Sequence, residues 1–418
     1  MSKYRHARGL SPMQILIIIA VVIVSLAIIG GGAFAAYHFT AGKEEPTTAP
    51  TVATAAPTVA PVATVDEAPT EAVDPDAQYT DLAKKHLENM TLDEKIYQML
   101  VVTPETLTGV DVATVAGDAT KTAIEKYPVG GIYYSADNFE DATQTTDMIK
   151  NSQSYAKTAM FIAVAETGGE NAPVYSELGT TKVDFSFAED GGKQTFDNAA
   201  TVSKDLKKFG INFNFAPASN VPADTKPETV GENVVQAVKG FKSDFVVCAP
   251  KYFPVSEDSQ KTVDELKGAD FVPFVSMIKD GVDAITVSSS KVTNIEDVPA
   301  FMSKKVVSDT LINELKFNGV IITPNLSSSS ITGAYDVAKL ATDSINAGVD
   351  ILFCPENIDD YYTAIKTAID NNTITKDRID SSVTKILAVK YKYGILQELA
   401  PEISNTQPAE TTAPTTAQ

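Results

Sequence analysis

The chain of 418 residues has no tryptophan, two cysteines and three histidines. Two cysteines cannot build a disulfide framework or a cysteine-rich zinc site. Cys248 and Cys354 fall near the ends of predicted strands, where they read as small buried apolar residues. A disulfide or a nucleophilic thiol is the alternative, but no histidine lies nearby to activate sulfur. The histidines are His6, His38 and His86, so none follows Met90. That excludes a histidine general acid and a histidine-rich metal site from most of the chain, and no metal or cofactor is expected. Positive charge is also scarce, with Lys plus Arg at 34 against Asp plus Glu at 54 and a net charge of −20. Such a chain repels phosphate backbones, so nucleic acid is excluded as a partner.

What is present begins with an uncharged stretch from Gly9 to Gly42, in which Ile15–Ile29 reads ILIIIAVVIVSLAII. A helix needs ~20 apolar residues to cross the hydrocarbon core. Residues 13–39 are therefore predicted to be a transmembrane signal-anchor, and residues 1–12 a basic arm. Lys3, Arg5 and Arg8 keep that arm in the cytoplasm and place the remainder outside the cell. Cleavage after a signal peptide is the alternative, since Ala33-Phe34-Ala35 has the small-x-small form of a cleavage site. Residues 40–77 read as a solvated stalk, because Pro46–Thr64 contains only Pro, Thr, Ala and Val. Residues 399–418 repeat that character as a tail, which leaves residues 78–398 as the folded unit.

Within that unit, short β-branched runs alternate with amphipathic segments. The predicted strands are Tyr97–Thr103, Gly131–Ser135, Met160–Ala165, Ile211–Ala216, Phe245–Pro250, Ala284–Ser288, Gly319–Thr323 and Asp350–Cys354. Helical patterns include Thr195–Phe209, Glu228–Phe241, Ala334–Ala347 and Ile358–Asp370. Runs such as GVIIT are apolar without alternation, as in strands buried on both faces. Eight such units predict an α/β fold of the (β/α)8 TIM-type barrel class. A doubly wound sheet is the runner-up, but no glycine-rich phosphate fingerprint follows the first strand.

Several strings carry a resemblance. They are MTLDEKIYQML (Met90–Leu100), YPVGGIYY (Tyr127–Tyr134), FIAVAETGGE (Phe161–Glu170) and NFNFAPASNV (Asn212–Val221). PKYFP (Pro250–Pro254), FNGVIITPNL (Phe317–Leu326), NAGVDILFCP (Asn346–Pro355) and VTKILAVKYKYGIL (Val383–Leu396) complete the series. Together they resemble, in order, glycoside hydrolase family 3, and in particular its single-barrel β-N-acetylhexosaminidase type. The resemblance implies a retaining glycosidase, in which one carboxylate attacks the anomeric carbon and a second group protonates the leaving oxygen.

The same resemblance marks departures. The family's nucleophilic aspartate follows the seventh strand, where this chain has Pro324 beside Asn325. The family's Lys-His-Phe-Pro-Gly-His-Gly-Asp corresponds to Lys251-Tyr252-Phe253-Pro254-Val255-Ser256-Glu257-Asp258, without either histidine. Its Asp-Gln-Glu-Gly-Gly corresponds to Ala165-Glu166-Thr167-Gly168-Gly169, and its Asp-Val to Asn220-Val221.

No residue is assigned as catalytic, and Glu257 and Asp258 are the weak candidates for an acid, with solvated charge as the bland alternative. Lys251, Glu166, Asn220, Tyr252 and Asn325 are the candidate substrate-binding residues. Lys251 reads either as a ligand contact or as a structural ion pair at the barrel top, and Glu166 as a sugar clamp or a helix-capping carboxylate. Tyr133, Tyr134 and Tyr252 are the available stacking rings in the absence of tryptophan. Ser327–Ser330 read as a polar loop, since no Gly-x-Ser-x-Gly elbow surrounds them. Two functions follow: a non-catalytic glycan-binding or scaffolding protein of the cell surface, or an active glycosidase using displaced carboxylates. The expected partners are a cell-wall saccharide, an envelope protein and, through residues 13–39, the membrane.

Overall fold

The computed structural model describes residues 76–397. The predicted arm, membrane span and tail, and the stalk up to residue 75, lie outside the described residues. Among the described residues no helix is long and apolar enough to cross a membrane.

Eight parallel strand positions form a closed ring. In chain order the strands are β1 (Leu100–Val102), β2 (Gly131–Tyr133), β3 (Phe161–Val164), β4 (Phe213–Asn214) and β5 (Val247–Cys248). Then come β6 (Lys251–Phe253), β7 (Ala284–Val287), β8 (Lys291–Val292), β9 (Glu296–Pro299), β10 (Val320–Ile322) and β11 (Leu352–Phe353). One sheet runs β11-β1-β2-β3-β4-β5 and a second β10-β7-β6. The bridge Ile322↔Ile351 joins β10 to the β11 side and closes the circle.

The fifth position is shared between β5 and β6. Pro250 stands between them and has no N–H to donate, although its carbonyl still accepts from the Thr286 amide at 2.9 Å. Lys251–Phe253 therefore continues a strand that the sequence pattern ended at Pro250. The antiparallel hairpin β8–β9 was not visible in the pattern either, because its four-residue arm contains Glu296 and Asp297 and lacks an apolar face.

The ring strands are buried in consecutive positions, as in FIAV and AITV, because side chains point alternately into the barrel and toward the surrounding helices. Glycine is required where these layers approach closely: a Cβ on Gly130 would overlap the Gln98 carbonyl oxygen. Helix starts are marked by local chemistry. Thr91 and Glu94 form a reciprocal capping box on Leu92–Gln98, and Asn357 and Thr375 cap Ile358–Asp370 and Lys376–Lys392. This scaffold leaves the C-terminal strand ends facing one set of loops.

Candidate functional site

Those strand ends enclose a cavity of about 160 Å³. Its lining comes from seven positions of the ring, including Tyr133 on β2, Lys251 and Tyr252 on β6, Thr286 on β7, and Pro324 and Asn325 just past β10. Ala165, Phe215 and Phe353 complete it. The aromatic rings form a wall: Phe215 stacks on Phe353 at 4.2 Å between centroids, and Tyr133 meets Phe353 edge-on at 5.1 Å.

Among the described residues, Lys251 is the one charged residue lining the cavity. Its ammonium makes no ion pair among the described residues and lies 5.6 Å from the Tyr252 ring centroid. Burial holds its pKa below the ordinary lysine value. The structural ion pair considered for Lys251 is therefore absent among the described residues. Burial, and then the neighbouring Cys354 and Tyr252, push the Tyr133 hydroxyl up to about 12. The Thr286 hydroxyl donates to the Ala249 carbonyl at 3.4 Å.

Several candidate residues are placed elsewhere. Glu166 is 3% exposed and does not line the cavity. Its two oxygens accept from the Val174 and Tyr175 amides at 2.8 and 3.3 Å, holding the start of the helix Pro173–Leu178. Burial raises its pKa, although these two amides oppose the shift. Asn220 likewise serves the backbone: its side chain accepts from the Tyr252 amide at 3.0 Å and donates to the Tyr252 carbonyl at 2.9 Å. Both ends of that amide are used in fixing the loop, so Asn220 is a positioning residue for Tyr252.

Tyr134 points away from the site, is fully buried and donates to Ser152 Oγ at 3.0 Å. This corrects its expected role as a stacking ring. Glu257 and Asp258 are exposed and outside the cavity. Asp258 accepts from the Lys291 amide at 2.8 Å, which fastens its loop to the hairpin. Both lie beyond the end of β6 in an exposed loop held by the hairpin, so the structure does not bring either residue to the cavity. Both cysteines are buried free thiols, and burial raises the pKa of each.

Thr286, Phe215 and Phe353 reach the cavity without having been singled out. No motif marks them; only their place at the ends of ring strands could have identified them. A larger cavity of about 540 Å³ lies at the other end of the ring, where its lining includes Asp283, Gly319, Lys385 and Lys392. Size does not make it the active-site candidate. Its Lys385 and Lys392 are engaged by Asp350 and Asp283, and it lies at the face that stabilises barrels of this type.

A retaining glycosidase brings two carboxyl groups to within ~5–5.5 Å across the scissile bond. Among the described residues, no carboxylate lines the strand-end cavity. Among the described residues, its lining offers one cation, hydroxyls and apolar rings. No group of His, Cys, Asp and Glu among the described residues is arranged to hold a metal ion.

The family model for the glycosyl hydrolase family 3 N-terminal domain matches residues 91–389. Beta-hexosaminidase A of Pseudoalteromonas piscicida is 24% identical over 324 residues, which cover 64% of this chain and 54% of that protein. The beta-hexosaminidase of Tolumonas auensis is 26% identical over 268 residues, covering 57% of this chain and 80% of its own. The solved structure of a family 3 beta-N-acetylglucosaminidase from Paenibacillus sp. superposes with a TM-score of 0.67 at 25% identity. That match covers 77% of this chain and 66% of the other. The beta-N-acetylhexosaminidase from Beutenbergia cavernae shares the fold, with a TM-score of 0.63 at 21% identity over 72% of this chain and 99% of its own. The chain spans about half the length of the Pseudoalteromonas relative and of a similar Cellulomonas fimi protein.

Proposed function

Because the chain belongs to glycosyl hydrolase family 3, we propose that it is a non-catalytic member that binds a saccharide at the C-terminal face of its barrel. One observation carries this reading: among the described residues no carboxylate lines the cavity where the family's chemistry would take place, in line with the resemblance that puts Pro324 at the nucleophile's position. The ring nitrogen of a peptide-bonded proline has its lone pair delocalised into the amide and cannot attack carbon, and an amide such as Asn325 is a far weaker nucleophile than a carboxylate. The aromatic wall and Lys251 retain the means to hold a polar ligand. The apolar run at residues 13–39 supports placing this domain outside the cell on a membrane anchor, where cell-wall saccharide or an envelope protein would be its partner.

The names of the relatives favour a second reading, hydrolysis of a β-N-acetylhexosaminide by displaced carboxylates. It requires displaced carboxylates such as Glu166, Glu257 or Asp258 to reach the cavity, whose lining none of them joins. A chromogenic β-N-acetylglucosaminide assay separates the two. The expected rate equals that of buffer, and Pro324→Asp alone restores little because nucleophile and acid act as a unit. Robust turnover by the unaltered protein would establish the second reading.

A further inference from the structure

The polar groups of the strand-end cavity lean toward donors, although the Thr286 hydroxyl, which donates to the Ala249 carbonyl at 3.4 Å, can still accept. Lys251 brings up to three N–H donors and no acceptor. The Asn325 side-chain oxygen is already engaged by the Ser327 amide at 3.0 Å and the Ser327 hydroxyl at 2.7 Å, so its NH₂ group is what remains. The Tyr133 and Tyr252 hydroxyls make no hydrogen bond to another described residue, and each can donate. A neutral sugar presents hydroxyls that need acceptors as well as donors, and carboxylates are the strongest such acceptors. None faces this cavity. A carboxylate ligand has the opposite need, since it only accepts.

Charge and size point the same way. The Lys251 ammonium loses hydration without gaining a counter-charge among the described residues, a loss that a bound anion would offset. The volume of about 160 Å³ equals roughly five waters at ~30 Å³ each. That admits a carboxylate with a few carbons against the Phe215 and Phe353 rings. It falls well below the ~300–1,000 Å³ of clefts that enclose a drug-sized ligand.

We infer that this cavity receives a small carboxylate, presented either by a free short-chain acid or by the acidic arm of a sugar whose ring stays at the mouth. The inference rests on the non-catalytic reading and names the chemical class of its ligand. Lys251 pairs with the carboxylate, the Tyr133 and Tyr252 hydroxyls donate to it, and the aromatic wall covers its carbons.

Isothermal titration of the full-length protein with acetate, glucuronate, glucose and N-acetylglucosamine tests this directly. Both acids are expected to bind saturably and more tightly than either neutral sugar, with affinity falling as salt is raised. Equal binding of acetate and glucuronate identifies a free acid as sufficient; much tighter glucuronate identifies an acidic saccharide. Lys251→Gln keeps a hydrogen-bonding side chain without the charge and should weaken both acids by about 10- to 100-fold. Its thermal melt reports whether it folds, and the acid-over-neutral preference of the unaltered protein decides the matter if it does not. Absent acid binding, neutral sugars binding as tightly as acids, or a folded Lys251→Gln protein with unchanged affinity would overturn the inference. Preference for neutral sugars would leave the non-catalytic reading standing, whereas glycoside turnover would remove that reading without altering a measured preference for acids.

Discussion

Lys390 is fully buried in the helix Lys376–Lys392, and its Nζ donates to Gln98 Oε1 at 2.8 Å. The Phe161 ring centroid lies 5.0 Å away, and no carboxylate pairs with the ammonium among the described residues. Burial pushes its pKa down to about 7. Between that value and the ordinary lysine range near 10.5, the unfolded chain holds a proton that the folded chain does not. Stability from this site therefore rises with pH across that window, and the penalty for burying the cation is fullest at and below its lower edge. Lys390→Met removes the penalty but leaves the Gln98 oxygen without its donor, at a cost of ~1–3 kcal/mol. Denaturant melts at pH 6.5 and pH 9.5 should show the variant losing ground to the unaltered protein as pH rises. A gap that stays constant would mean that Lys390 remains charged throughout. Glu166 teaches the same lesson about burial: a carboxylate inside the barrel top is engaged by two backbone amides and does not line the cavity.

The ring strands are only two to four residues long, so the elements that clasp them matter more than strand pairing alone. The helix Lys376–Lys392 is the principal clasp. Asp350 is fully buried and is held by Arg378 at 3.3 Å, Lys385 at 3.4 Å and the Ser382 hydroxyl at 2.6 Å, all from that helix. The same carboxylate accepts from the Ile321 amide at 3.0 Å, which joins the helix to the edge of β10 where the ring closes. Asp283 is anchored in parallel by Lys242, Lys392 and the Tyr393 hydroxyl. Burial alone would raise its pKa, but the two ammonium groups and the hydroxyl hold it below the ordinary value. Removing one partner of a buried ion pair leaves the other uncompensated, so Asp350→Ala should cost about 3–5 kcal/mol. Urea titration would register this as an earlier midpoint. An unchanged midpoint would show that the ring closes without the clasp.

At the scale of the whole molecule, the charge of −20 makes the lone cation of the strand-end cavity an exception to its surroundings. The same charge favours a solvated, well-separated surface. If residues 13–39 anchor the chain with its C-terminal part outside, protease added to intact cells should release a fragment close to residues 78–398. Immunoblotting would detect that fragment in the medium, and protection of the domain until lysis would reverse the proposed topology.

The eight ring strands were legible in the amino-acid order because buried parallel strands need unbroken apolar runs, and GVIIT or FIAVA cannot serve a solvated face. The departures from the family pattern were likewise read from the amino-acid order, which has no histidine after His86 and, by that resemblance, Pro324 where the nucleophile would stand. Tertiary structure decided which polar residues face the cavity. Glu166 and Lys251 both follow apolar runs, yet one is turned onto a helix start and the other is left without a counter-charge. Local pattern cannot separate them, because the difference lies in which backbone amides the packed helix Pro173–Leu178 and the split fifth strand bring within hydrogen-bonding reach.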